Sequence, residues 1–60
     1  MVIYQCLFYK QGRIDYWENI EAISDVTIRQ LLLDRLSDGG WEFGEAFLDG
    51  RLVCRVGLAP

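Results

Sequence analysis

The chain has 60 residues, 52% of them hydrophobic and 25% charged, with a formal net charge of −3 and no histidine. A chain of that length makes one small domain (residues 1–60) that buries only roughly 60% of the surface its unfolded form exposes, so it has little room for a deep pocket. No apolar run approaches the roughly 20 residues of a membrane span, and the missing histidine removes the side chain that titrates near neutrality.

Val2, Ile3, Tyr4, Cys6, Leu7, Phe8 and Tyr9 give residues 2–9 strand composition with apolar groups on both parities. A strand that is apolar on both faces is usually central in its sheet. With no basic lead and with Gln5 inside it, the segment reads as a strand and not a signal peptide. Lys10-Gln11-Gly12-Arg13 reads as a turn, with Gly12 in the left-handed position. Ile14 to Glu18 predict a second short strand, with Ile14 and Tyr16 on one face and Asp15 and Trp17 on the other. Residues 19–24 leave two readings open: a helix capped early by Asn19, or a connecting loop with Ser24 or Asp25 as the cap. The later start is preferred, because Asp25 then sits at the positive end of the helix dipole.

Ile28, Leu31, Leu32 and Leu36 form an i, i+3, i+4, i+8 stripe that predicts a helix running to about Ser37. Leu33 lies beside the stripe, and Arg29, Gln30, Asp34, Arg35 and Asp38 are expected to face water. Gly39 is the expected helix stop, and Gly40 frees the chain to turn. Trp41 to Val56 then read as a hairpin around Asp49-Gly50, a pair that accepts the positive φ angles of a two-residue loop. That loop sets Leu48 opposite Arg51, Phe47 opposite Leu52 and Phe43 opposite Val56. One face would carry Trp41, Phe43, Phe47, Leu52, Cys54, Val56 and Leu58, and the leucine stripe is expected to pack there. Pro60 closes the chain beyond any element. The expected fold is therefore α+β, a four-stranded antiparallel sheet in the order β-β-α-β-β with one helix packed on one face and strands arranged 2-1-3-4.

All nine acids lie between Asp15 and Asp49, with only Arg29 and Arg35 among them, so that stretch carries −7 while each flank carries +2. An acidic middle is wrong for gripping a nucleic-acid backbone and right for meeting a basic surface. Cys6 and Cys54 sit in strand patterns and are expected to be reduced; a disulfide would require their strands to be neighbours. Two isolated cysteines without histidine do not make a metal site, and no cofactor is expected. No thiol has a basic partner, Lys10 lies in a turn, and no glycine-rich phosphate loop precedes a helix, so enzyme activity is not expected.

Glu45 falls between Phe43 and Phe47 on the apolar side of the hairpin, where an unpaired carboxylate is costly. It reaches water past the helix edge, pairs with an arginine, is turned outward by a bulge, or belongs to a binding surface. Glu42 lies diagonal to Arg55 as a cross-strand pair. The sheet face away from the helix would show part of strand 1, Trp17, Leu48 and Val53, rimmed by Glu42, Arg51, Arg55 and Asp15. A half-apolar, charge-rimmed surface of this kind suits a partner, a second copy of the chain included.

A short helix carrying Leu36, then Gly40-Trp41-Glu42 and an apolar hairpin, resembles small bacterial domains of unknown function with a Gly-Trp-Glu step. The whole chain, short, acidic in its middle and without catalytic groups, is similar to the small acidic inhibitors of phages and mobile elements, anti-CRISPR proteins among them. That resemblance implies a non-enzymatic cytoplasmic inhibitor that occupies a basic nucleic-acid-recognition surface of a CRISPR effector, without binding nucleic acid or membrane itself. The expected partner-binding residues are Asp15, Glu18, Glu21 and Asp25, with Trp17, Glu42 and Glu45. The alternative is a small interaction domain that self-associates through its open sheet face.

Overall fold

Two tight turns set the strands of this computed structural model, which describes residues 1–57. Gln11 and Gly12 (φ 55° and 76°) join β1 (Val2–Lys10) to β2 (Arg13–Ala22), and Asp49 and Gly50 (φ 52° and 80°) join β3 (Phe43–Leu48) to β4 (Arg51–Gly57). Two successive positive φ angles match the right-handed twist of the strands they connect. Between the hairpins lies α1 (Asp25–Gly39), capped by Ser24, whose Oγ accepts a hydrogen bond from the Thr27 N–H. The sheet is antiparallel throughout, in the order β2-β1-β3-β4. The α+β architecture, the element order and the strand order all match the sequence reading.

The helix lays Ile28 and Leu32, both fully buried, on the face made by Tyr4, Cys6 and Phe8 of β1, Ile20 and Ala22 of β2, Ala46 of β3 and Val56 of β4. Leu31 and Leu36 pack at the margin of this core. Gly44 and Ala46 are small where the helix passes. A Cβ on Gly44 would stand 3.2 Å from the Phe8 ring, so that ring fills the space a side chain would take.

Several local expectations are corrected. Strand β2 does not stop at Glu18: it pairs with β1 down to Val2↔Ala22, because sheet pairing overrides the weak strand propensity of Asn19 and Glu21. The helix runs past Ser37 and takes in Gly39 as its last residue, so Gly39 is not its left-handed cap. The left-handed cap is Gly40 (φ 71°), whose N–H reaches the Leu36 carbonyl. The largest correction is the parity of β3. Gly44, Ala46 and Leu48 face the helix side, while Phe43, Glu45 and Phe47 face away from it. Phe47↔Leu52 and Leu48↔Arg51 pair as the loop dictates, but a bulge at Val53 shifts the register, so Phe43 meets Gly57 and not Val56. An extra residue turns the strand's alternation by one step. Cys54, Val56 and Val53 thus pack toward the core while Leu52 points the other way.

A second bulge, at Asp15, puts Ile14 opposite Tyr9 and Tyr16 opposite Phe8, so Ile14 and Tyr16 do not share a face. Trp41 precedes β3 and lies over the helix-side core, the side expected for it, 4.7 Å from Phe8 and 5.4 Å from Tyr16 between ring centroids. Arg35 does not simply face water but forms an ion pair with Glu18. Cys6 and Cys54 are both free, and β3 lies between their strands, with Ala46 as the neighbour of each. The expectations for Leu58 and Pro60 lie outside the described residues.

Candidate functional site

With one helix for four strands, the sheet has one covered face and one open face. The open face is built in rows, because residues paired across antiparallel strands point the same way. The first row is Ile14, Tyr9 and Phe43, ending at Gly57 of β4. The second is Trp17, Leu7, Glu45 and Arg55, and the third is Asn19, Gln5, Phe47 and Leu52. Glu21 and Ile3 make a short fourth row. Large apolar groups stand in water there: Ile3 is 60% exposed, Trp17 58%, Ile14 52% and Leu52 50%.

At the centre of this face, Glu45 is only 5% exposed although no helix covers it. Its neighbours close over it. The Tyr9 hydroxyl donates to Oε1 at 2.7 Å, and the Arg55 guanidinium holds Oε2, with Nε at 2.8 Å. Tyr9 stacks flat on Phe43, with centroids 4.2 Å apart and planes 9° apart, and the guanidinium carbon of Arg55 lies 5.9 Å from the Phe43 centroid. The carboxylate is therefore paired with an arginine, one of the readings its position left open. The partner of Arg55 is Glu45, not Glu42. The Glu42 carboxylate accepts from the Gln11 N–H at 2.8 Å and so ties the first turn to the start of β3.

The seven residues expected to bind a partner do not form one surface. Trp17, Glu21 and Glu45 lie on the open face. Asp15, at the β2 bulge, accepts from the Trp41 Nε1–H at 2.8 Å. Glu18 lies on the helix side, bonded to Arg35. Asp25 accepts from the Tyr4 hydroxyl at 2.7 Å, and Glu42 lies at the end of the sheet beside the first turn. Neighbours in an extended strand alternate between faces, so an unbroken acidic run scatters its charge. The sequence reading missed Phe43, Phe47, Leu52 and Ile14 for this surface. Only the odd parity of Ile3, Leu7 and Tyr9 signalled a second apolar face.

Three groups on β1 favour their protonated forms. The Tyr4 phenol is pushed up to about 12, first by its hydrogen bond to Asp25 and then by burial. Burial drives the Cys6 thiol to about 11, and the bond to Glu45 raises Tyr9. A pKa raised by folding adds stability that is complete below the unfolded value and lost as pH climbs through the folded one. The unfolded values are 9.0 for the thiol and 10.0 for the phenols. Urea midpoints should therefore show no loss from these groups up to pH 9 and a steep fall between pH 9 and 12. A midpoint unchanged to pH 12 would contradict the buried Tyr4 and Cys6.

Among the described residues no three acidic or cysteine side chains cluster to hold a metal ion, and no helix is long and apolar enough to cross a membrane. No protein-family model, curated protein or solved structure gives a significant match to the chain.

Proposed function

We propose that this protein is a non-enzymatic interaction domain that self-associates through its open sheet face. The observation that carries the reading is the face itself: four half-exposed apolar side chains on three strands around a neutralised Glu45–Arg55 pair. Contiguous apolar surface of this kind is where soluble domains meet partners. A second copy suits it in size. Four strands and some seven residues of β1 make a face of about 19 Å by about 25 Å, so a pair would bury roughly 1,000 Å², near the lower limit of specific interfaces. It also suits it in charge: with Glu45 paired, two molecules of net charge −3 can approach here without stranding a carboxylate. The two free thiols fit a reducing compartment such as the cytoplasm. The anti-CRISPR-type reading has less support, since Asp15, Glu18 and Asp25 are engaged within the chain and only Glu21 of that group faces a partner on this surface.

Sedimentation velocity tests the proposal. The wild-type chain should form dimers with a dissociation constant of roughly 10–100 µM, as a small interface implies. Trp17→Glu and Leu52→Glu should each remove the dimer and leave the melting temperature of the dilute protein within about 3 °C, because both side chains are exposed in the single chain. A wild-type chain that stays monomeric at about 1 mM would sink the proposal.

A further inference from the structure

The open face has a lateral charge order, and this selects how two copies can meet. On this face Glu21 puts β2 at −1, β1 carries no charge, Glu45 puts β3 at −1 and Arg55 puts β4 at +1, while Glu18, Lys10, Arg13 and Arg51 have the helix-side parity and Asp15 sits at the bulge. In spatial order across the open face the strands therefore run −1, 0, −1, +1. Two faces stacked about a two-fold axis have two simple choices. An axis across the strands sets each strand on its own copy, which opposes like charges at β2, β3 and β4. An axis along the strands reverses the lateral order, so β2 lies over β4 and β1 over β3; the acidic margin then meets the basic one and Glu45 faces an uncharged strand.

Resting on the self-association reading, we infer that two copies pair about a two-fold axis parallel to the strands, with β2 of each molecule across β4 of its partner. The rows then define the contacts. Trp17 stands in the same row as Arg55, at the opposite edge, so its exposed indole meets Arg55 of the partner subunit. That guanidinium already leans on Phe43 and is held by Glu45, leaving its outer side for a second aromatic ring. Asn19 comes to Leu52 of the partner subunit in the next row, and Glu21 comes to the end of β4 that carries Arg51. Sheets packed face to face stay within about 30° of alignment, so these row assignments survive the twist to within about one residue pair. With the other axis, Arg55 would face its own copy across the interface, an arrangement that is repulsive where partners must desolvate.

Isotope-filtered nuclear Overhauser spectra on an equal mixture of labelled and unlabelled chain decide the matter. Trp17 and Leu52 lie on strands three spacings of about 4.8 Å apart in one molecule, too far for a cross peak within the chain. The expected result is intermolecular cross peaks from the Trp17 indole to the Leu52 methyls and the Arg55 methylenes. Cross peaks from Trp17 to Ile14 and Asn19 of the other molecule would overturn the inferred axis and leave face-to-face pairing standing. Intermolecular cross peaks confined to the backbone of β2 or β4, or a monomer with none, would overturn both the axis and the face.

Discussion

Replacing Gly39 with alanine should destabilise the domain by about 2–3 kcal/mol, although alanine is the better helix former by about 1 kcal/mol. Gly39 is the last residue of the helix and does not need a positive φ, so backbone propensity alone favours the change. Packing opposes it. A Cβ at Gly39 would fall well inside van der Waals contact with three ring carbons of Trp41. The indole cannot retreat cheaply, because it stacks on Tyr16 and Phe8 and donates to Asp15 at 2.8 Å. Moving it breaks contacts that tie the end of the helix to the bulge of β2. For a domain of this size the loss is a large share of a margin of about 3–5 kcal/mol, read as a fall in melting temperature of about 10–20 °C. The control is the same change in a Trp41→Ala background, where it should be neutral or stabilising, giving a coupling of about 2–3 kcal/mol. A rise in melting temperature for Gly39→Ala alone would show that the indole does not rest on the helix end.

The second large effect is expected at Arg55. Arg55→Met leaves the Glu45 carboxylate without its cation among Tyr9, Phe43 and Leu7. Removing one partner of a buried ion pair commonly costs 3–5 kcal/mol, of order several kcal/mol here at most. The Glu45 side chain is 6% exposed but that of Arg55 is 49% exposed, so solvent already screens the pair and a loss of about 2–3 kcal/mol is expected. Tyr9→Phe, which deletes one neutral donor, should cost about 1 kcal/mol. The double change Glu45→Leu with Arg55→Met should recover most of the loss, since an apolar pair of similar volume needs no compensating charge. Urea titrations on dilute protein measure all three. If Arg55→Met cost less than about 0.5 kcal/mol, Glu45 would have to reach water unaided, and the centre of the open face would be wetter than the structure shows.

The fold was legible in the sequence because local signals agreed. The two turn pairs, the leucine stripe and the two-sided apolar character of β1 each point to one arrangement, and the strand order follows. The face assignment of β3 was not legible, for a physical reason. Phe43 and Phe47 look like core residues beside Gly44 and Ala46, yet the helix needs small residues beneath it, and the phenylalanines go to the open side. Bulges at Asp15 and Val53 compound this, since an inserted residue leaves no mark in composition while reversing the alternation on one side of it. The same limit applied to the candidate surface. Trp17 was placed correctly, but Leu48 and Val53 were exchanged for Phe47 and Leu52, because β3 turns Gly44, Ala46 and Leu48 to the helix and so carries the Phe47–Leu52 pair to the open side. The acidic run read as one patch only while its residues were treated as neighbours along the chain.

Those two bulges fall on β2 and β4, the strands at the two margins of the sheet. A straight, uninterrupted margin can recruit a strand from another molecule, and then another, without end. Here each margin is broken by a kink that disturbs the spacing of its free amides and carbonyls. Growth by strand addition is thereby discouraged at both sides, while the open face keeps its exposed apolar side chains out of the plane of the sheet. The geometry thus works against a sheet that lengthens into a filament.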